Sequence, residues 1–481
     1  MAPSSVNPAD WFLADRQNPH SSLSLFTSGN LVEALIDGKN YMDTLHVYIL
    51  ACKQNDYLFL AGWRLDSDQQ LIKGDVDSKI SNFFPEASGR GVAVRLLLSS
   101  HATTTNIPVH RYFRKAMFGK GIQSVLDQRI PTYGSHHQKF ACISQNGKLY
   151  AFCGGIDLAE HRRDDRTHSD GGWHDIQTFV QGPACRDLDA TFRERWNDPT
   201  RPNMFDTSPS PITLPVPATP AIGSGTHHVQ ILRTYACGYA DGIGYPFAPQ
   251  GECSTRRACL QAIGLARDLI YIEDQYFVSY EIAKAIRDAL CAQPSLRVIV
   301  VMPRFQLQWA RSFHFHQLNL LSKLSSVAPN HFACYHLDNP NRLGEQIYVH
   351  CKSIIVDDVW VKIGSSNLSR RDSSHDSQVD VAVVDGTIVD GVCKFARDLR
   401  LELWAEHLAL IPSDPRLVDP VIAFNLWKTR AGTAGVPAQV HVESDPHGSE
   451  SLWDVVDPQK LCAGEPRLAD TDLAWEPDAC K

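Results

Sequence analysis

His350-Cys351-Lys352-Ser353-Ile354-Ile355-Val356-Asp357, followed by Gly364-Ser365-Ser366-Asn367, has a counterpart 213 residues earlier in His137-Gln138-Lys139, Phe140-Ala141-Cys142-Ile143 and Gly154-Gly155-Ile156-Asp157. A His-Asp string trails each copy, His375-Asp376-Ser377-Gln378 in one and His174-Asp175-Ile176-Gln177 in the other. The order of parts is the same while the spacings differ. Upstream, Tyr57-Leu58-Phe59-Leu60-Ala61-Gly62-Trp63 parallels Ile270-Tyr271-Ile272-Glu273-Asp274-Gln275-Tyr276, and Val94-Arg95-Leu96-Leu97-Leu98 parallels Val298-Ile299-Val300-Val301-Met302. These apolar, β-rich runs bounded by polar residues read as buried strands. A repeat of about 200 residues is too long for a solenoid or propeller unit, so a whole α/β domain has been duplicated.

In a strand, the His and Lys of H-x-K share a face and can reach one anion together. Two copies supply two imidazoles and two ammoniums, a set suited to a phosphodiester. One His attacks phosphorus, the other protonates the leaving oxygen, and the lysines hold charge on the non-bridging oxygens. That chemistry requires no metal and no cofactor. A single H-x-K would carry little, since such a tripeptide is common at solvated strand ends; the repeated context carries the reading.

On these residues the chain resembles the phospholipase D superfamily, whose mark is H-x-K-x4-D followed by a Gly-Ser or Gly-Gly turn. The second copy, His350 to Asp357 with Gly364, fits throughout, whereas in the first copy Ser144 stands at the aspartate's position. Trp173-His174-Asp175, Gly182-Pro183-Ala184, Arg195-Trp196 and Tyr271 to Phe277 extend the similarity to the branch of eukaryotic-type phospholipases D and related bacterial enzymes, over about residues 30–410. The resemblance implies two pseudo-twofold-related α/β sandwich domains, their sheets face to face and the active site at their interface. It implies His137 as nucleophile and His350 as the acid that protonates the departing alcohol and then activates the acceptor. Lys139, Lys352, Asn367 and Ser365 are implied as phosphate or substrate ligands, and Asp175 and Asp376 as the carboxylates behind the two histidines, fixing tautomer and basicity. Gly154, Gly155, Gly364, Asp357 and Asp157 belong to the motifs' framework, with Asp157 expected to shape its loop and not to touch phosphate. Gln378 stands where the family usually has Glu. Residues 160–168 mix both charge signs; between binding a headgroup phosphate or diol and forming a solvated loop, the solvated loop without a catalytic role is the expected reading.

With 43% hydrophobic residues in 481, the chain can bury two sizeable cores. Forty-six basic against 54 acidic residues give a net charge of −8, which argues against a general nucleic-acid binder. The 13 cysteines show no CxxC or His-rich ligand spacing. Neither a metal site nor a disulfide framework is predicted, and the reducing cytosol is the expected compartment. No secretory signal and no apolar stretch of about 18 residues is visible, so contact with a bilayer is expected to be peripheral.

The expected organisation is a first half over 1–198, a Pro-rich extended linker over 199–228, a second half over 229–410 and a tail over 411–481 that wraps the second half. Helical periodicity falls at 255–267, 281–291 and 392–410. The implied activity is hydrolysis of a glycerophospholipid, phosphatidylcholine in this branch, to phosphatidic acid through phosphohistidine. The alternatives are a phosphatidyltransferase of cardiolipin or phosphatidylserine synthase type, a nuclease-type phosphodiesterase, and a non-catalytic lipid-binding protein, the last motivated by Ser144 and Gln378.

Overall fold

The computed structural model describes residues 6–100, 110, 115–117, 119–200, 213–223, 225–239, 243–304, 311–441 and 457. The first half contributes strands β1 (Thr27–Ile36), β2 (Tyr57–Gly62), β3 (Ala93–Ser99), β4 (Gln123–Asp127), β5 (Phe140–Gln145), β6 (Lys148–Gly154), β7 (Trp173–His174) and β8 (Ile176–Gln181). They form a sheet in the order β4-β3-β2-β5-β6-β8-β1, with β2, β3 and β4 parallel and the remaining neighbours antiparallel. After β9 (Thr219–Pro220), the second half contributes β10 (His227–Tyr235), β11 (Glu252–Cys253), β12 (Leu269–Asp274), β13 (Arg297–Val301), β14 (Phe332–Asp338), β15 (Gln346–Val349), β16 (Lys352–Val356), β17 (Trp360–Gly364) and β18 (Gln378–Asp385). Its main sheet runs β14-β13-β12-β16-β17-β18-β10, again with a parallel trio followed by antiparallel strands. Strand for strand, one sheet repeats the other.

The repeat is displaced by one residue from the string match upstream. Ala61 lies opposite Phe140, and Glu273 lies opposite Ser353, the residue equivalent to Phe140. Ala61 is therefore the partner of Glu273, not of Asp274. A one-residue slip exchanges the faces of a strand, and both faces here are buried, so hydrophobicity alone did not choose the register.

Side-chain alternation divides the apolar residues among layers. Along β2 and β5, Tyr57, Phe59, Ala61, Phe140 and Cys142 point inward to a shared core with Val229, Ile231, Val379, Val381 and Val383 of the second sheet. Leu58, Leu60, Ala141 and Ile143 point outward, under helices Asp37–Leu50 and Ile80–Gly89. The second sheet is covered outside by helices Ser254–Leu265, Tyr280–Ala292, Arg311–Val327 and Lys394–His407. The result is helix, sheet, sheet, helix, with the sheets face to face.

Residues 12–16, placed by sequence in the first half, pack in the second. Phe12 and Leu13 enter its core, and Arg16 donates to the Ile231 carbonyl at 2.7 Å. Strand β1 continues this exchange, pairing with β8 along one stretch and with β10 at Thr27 and Asn30. Of the Pro-rich segment, β9 pairs in parallel with β6, and β10 already begins at His227 within the predicted linker. Its residues 201–212 lie outside the described residues. The predicted tail adds helix Pro420–Arg430, which buries Trp427 completely, and a strand, Ala438–Val440, antiparallel to β14. Trp453 and Trp475 lie outside the described residues.

Among the described residues, nine cysteines are free thiols, Cys142, Cys153 and Cys351 buried among them. Cys237 and Cys291 are each disulfide-bonded, which the scattered cysteine spacing did not predict. Among the described residues, no helix is long and apolar enough to cross a membrane.

Candidate active site

The two H-x-K segments meet where the halves meet. Strand β15 leads into His350 and pairs in parallel with β7, Tyr348 with Trp173 and Val349 with His174. The His350 amide donates to the His174 carbonyl at 2.8 Å. In the other copy His136 bridges Ser377 in parallel, and the His137 amide donates to the Ser377 carbonyl at 2.9 Å. Each motif strand thus enters against the trailing strand of the opposite half.

Behind His350 stands Asp175, with Oδ2 2.5 Å from Nδ1 and both groups buried. Burial pushes the imidazolium of His350 well below its usual range, with Lys352 and Arg162 adding to the effect. Burial raises the Asp175 carboxyl to about 6. At rest these shifts leave the imidazole neutral; the carboxylate behind Nδ1 is the group that supports His350 when Nε2 also carries a proton. That outer proton is the one a general acid gives away. Asp175 can approach because Gly155 has no side chain: a Cβ there would meet Asp175 Oδ1 at 2.1 Å.

Behind His137 the nearest acceptors are neutral, and the buried Asp372 carboxyl stands farther off, 3.8 Å from Nδ1. Its Nδ1 lies 3.1 Å from the Ser365 carbonyl and 3.2 Å from Gln378 Oε1. Gln378 spends its amide hydrogens on Asp372, and its Oε1 also accepts from Ser365 Oγ at 2.7 Å. Two acceptors at Nδ1 place the proton there, leaving the Nε2 lone pair free. Burial, then Lys139 and Lys352, hold the imidazolium form of His137 well below its usual range. The result is a neutral imidazole with an unprotonated outward nitrogen, the form a nucleophile needs.

Asp376 is not behind His137. Its carboxylate accepts from the Ser135 amide and hydroxyl, both at 3.0 Å, and pairs with Arg371 at 2.9 Å. The strand registers give the reason. Gly154 faces Gln177, and Gly364 faces Asp380, so Gln177 matches Asp380 and Asp175 matches Gln378. The two His-Asp strings lie two residues out of register; their likeness is accidental. Ser365 and Asn367 are likewise engaged within the protein. Ser365 orients His137 through its carbonyl and spends its hydroxyl on Gln378, while Asn367 Nδ2 donates one of its two hydrogens to Asp372 at 3.2 Å.

Both lysines fold back on their own motif: Lys139 donates to the His137 carbonyl at 2.9 Å and Lys352 to that of His350. Lys139 also lies 3.4 Å from Asp157 and Lys352 3.2 Å from Gln275 Oε1. Burial lowers both ammoniums, that of Lys352 to about 8. Asp157 holds the turn after β2 through the amides of Trp63 and Arg64, at 2.9 and 3.1 Å.

The motif aspartate has a framework role in both copies, by different routes. Asp357 accepts three amide hydrogens, from Arg267, Asp268 and Leu269, each at 2.8 Å, tying the end of β16 to the start of β12. In the first copy Ser144 donates to Asp56 at 3.2 Å, and Asp56 accepts the Lys53 amide at 2.9 Å. The missing carboxylate is supplied by the neighbouring strand's lead-in turn.

Beneath the site, the His174 ring lies between Asp37 at 2.9 Å and Glu273 at 3.1 Å. Glu273 is also held by Tyr271 and His407. His168 bridges Asp164 at 2.8 Å and Glu406 at 3.2 Å. Ligand atoms of Asp37, His168, His174 and Glu406 lie within 4.8 Å of one another, the spacing of a metal site. Each of the ring nitrogens of His168 and His174 already faces a carboxylate, so the group is self-satisfied as a brace across the halves.

The charged segment read as solvated also reaches the site. Arg162 is 4% exposed and stacks on Trp173 with 3.5 Å to the ring centroid, and Trp173 is in turn 5.0 Å from the His350 ring. Trp63 flanks His137 at 6.3 Å. Nothing in the spacing of charges announced Arg162.

Residues 259–399 match the family model described as "Cardiolipin synthase, PLD-like domain". Among curated proteins the chain is 28% identical over 453 residues to phospholipase D A of Dictyostelium discoideum, covering 74% of this chain and 34% of that protein. It is 28% identical over 367 residues to human phospholipase D1, covering 63% and 34%, and 23% identical over 508 residues to phospholipase D1 of Saccharomyces cerevisiae, covering 82% and 30%. The chain thus spans about a third of the length of these relatives. A solved phosphatidylserine synthase of Haemophilus influenzae aligns with a TM-score of 0.45 at 11% identity, over 74% of this chain and 82% of that one.

Proposed function

We propose, from the premise that the chain is a phospholipase D superfamily protein, that it transfers the phosphatidyl group of a glycerophospholipid through a phosphohistidine intermediate. His137 Nε2 attacks phosphorus, a N–P bond forms and the P–O bond to the headgroup breaks. The leaving oxygen takes the Nε2 proton of His350. Water then gives its proton to His350 and attacks phosphorus, the N–P bond breaks, and phosphatidic acid leaves with His137 restored. Lys139 and Lys352 hold the non-bridging oxygens. Phosphatidylcholine is the proposed substrate. An alcohol in place of water gives a new phospholipid, and the match of residues 259–399 to the cardiolipin synthase model favours testing such acceptors.

The observation that carries this reading is the unequal backing of the two histidines: a carboxylate 2.5 Å from His350 Nδ1, against two neutral acceptors at His137 Nδ1 with the nearest carboxyl, that of Asp372, at 3.8 Å. It supports giving His350 the acid's part and His137 the nucleophile's in a site otherwise close to symmetric. The non-catalytic alternative loses its motive, since Asp56 and the Gln378 amide fill the roles left open by Ser144 and the absent glutamate.

The test is incubation with phosphatidylcholine vesicles and ethanol, comparing wild type, His137→Ala and His350→Ala. Phosphatidic acid and phosphatidylethanol from wild type, with both products lost in each variant, are expected. Turnover that survives His137→Ala would sink the assignment; inactivity of wild type on every phospholipid would sink the substrate class.

A further inference from the structure

Arg162 is a buried cation without an anion. Its side chain is nearly sealed from solvent, yet it forms no ion pair and no side-chain hydrogen bond among the described residues, and its Nε is fully buried without an acceptor. Asp157 and Asp175 are near enough to act on its charge, but neither bonds it. An isolated buried charge is expensive unless something pairs with it. Here the cost is borne in a fixed geometry. The Arg162 amide donates to the Ala159 carbonyl at 3.2 Å, and the neighbouring Arg163 grips Leu71 and Asp43. Helix Asp37–Leu50 presses on the loop so closely that a Cβ on Gly38 would stand 1.8 Å from the Arg162 carbonyl oxygen. The amide of Trp173, the stacking platform, donates to the His161 carbonyl at 2.9 Å, which ties platform and loop together. The guanidinium is held in place before any ligand arrives.

We propose that Arg162 is a further catalytic residue: its guanidinium binds the non-bridging oxygens of the phosphoryl group under attack, and Trp173 holds the fork beside His350. The inference rests on the phosphodiester reading above and adds a ligand that the two His-Lys pairs do not supply. A lysine is a point charge, whereas a guanidinium offers two parallel donors matched to two oxygens of a tetrahedral anion. Lys139 and Lys352 each spend a hydrogen bond on their own motif's carbonyl, which leaves room for a third cation at the transferring group. The ligand chemistry is a tetrahedral oxyanion, whether a lipid phosphodiester or free phosphate.

The experiment uses the full chain with Arg162→Ala, Arg162→Lys and Arg162→Met, the last keeping an apolar stem on Trp173. Two readouts are taken: affinity for inorganic phosphate and tungstate by calorimetry, and single-turnover cleavage of a phosphatidyl ester with and without added guanidinium. Arg162→Ala and Arg162→Met are expected to lose about tenfold or more in anion affinity and about a hundredfold to a thousandfold in cleavage rate. Guanidinium should restore at least about tenfold of the Ala variant's lost rate, and Lys should fall between Ala and wild type. Unchanged anion affinity in folded Ala and Met variants overturns the proposal, as does lost cleavage that guanidinium does not restore. A wild type that cleaves no phospholipid but loses tungstate binding with Arg162 would sink the lipid reading and leave the anion site standing.

Discussion

Replacing Asp175 by Asn leaves the shape of the site intact and removes the charge behind His350, so it isolates what that carboxylate does. In the native pair, Oδ2 lies 2.5 Å from Nδ1, and Oδ1 separately accepts the Ile176 amide at 2.8 Å. Asn can keep the second bond through its oxygen, which turns its NH2 toward His350 Nδ1. An imidazolium cannot present N–H to N–H, so the acid form of His350 loses its support. A hydrogen bond to a charged group is worth about 1.5 to 3 kcal/mol. At about 1.4 kcal/mol per decade, the expected loss is roughly tenfold to 150-fold in the step that expels the headgroup. The assay is single-turnover release from two phosphatidyl esters, one with choline and one with p-nitrophenol, whose anion leaves without a proton. Asp175→Asn should slow choline release by that factor and leave the nitrophenol burst within about threefold of wild type. Equal slowing of both esters would refute the acid role, and no slowing of either would refute the coupling of Asp175 to catalysis.

Three other outcomes follow from the same geometry. Against burial, Asp164 and Glu406 raise His168 to about 9, so its stabilisation is complete below the usual histidine pKa and disappears as pH climbs through about 9. Urea midpoints should fall between about pH 6.5 and 9, by up to roughly 3 kcal/mol, and His168→Gln should flatten that slope. Since burial lowers Lys352 to about 8 and the charged form is the working one, the rate should decline on the alkaline side near pH 8; Lys352→Arg should move that limb upward at reduced activity. Restoring the motif by Ser144→Asp should harm the protein, because the new carboxylate arrives beside Asp56, now 3.2 Å from the Ser144 hydroxyl. A loss of about 1 to 3 kcal/mol in chemical denaturation is expected, and a gain would contradict the arrangement.

The strands around both H-x-K motifs were legible because each is an apolar run followed by a glycine turn, and the pairing of sheets followed from the duplication. What misled was matching letters where the backbone counts positions. His174-Asp175 and His375-Asp376 look alike, yet a residue acts on His137 only if it stands across the strand from it, and that place belongs to Gln378. Asp376 sits two residues early and caps Ser135 instead. Asp56 escaped notice because its partner Ser144 is 88 residues away. Arg162 escaped because a run of mixed charges ordinarily faces water, and only the tertiary arrangement reveals that one of these side chains turns inward onto Trp173. Cys237 and Cys291 carried no spacing signal at all.

The unequal backing of the two histidines has a consequence for why the two halves share one chain. A homodimer of a single half, closed by a true twofold axis, would be bound to place the same residue behind both histidines, since every contact of one subunit is copied in the other. Fusion lifts that constraint. Asp175, just ahead of β8, and Gln378, at the start of β18, occupy matching places and can mutate independently, so one imidazole could be tuned to give up a proton while its twin was tuned to keep a lone pair. On the proposed mechanism, division of labour between the histidines would also give the phosphodiester a direction, with the headgroup on the His350 side and the attacking nitrogen opposite. A site of perfect symmetry would accept the substrate either way round and distinguish neither end.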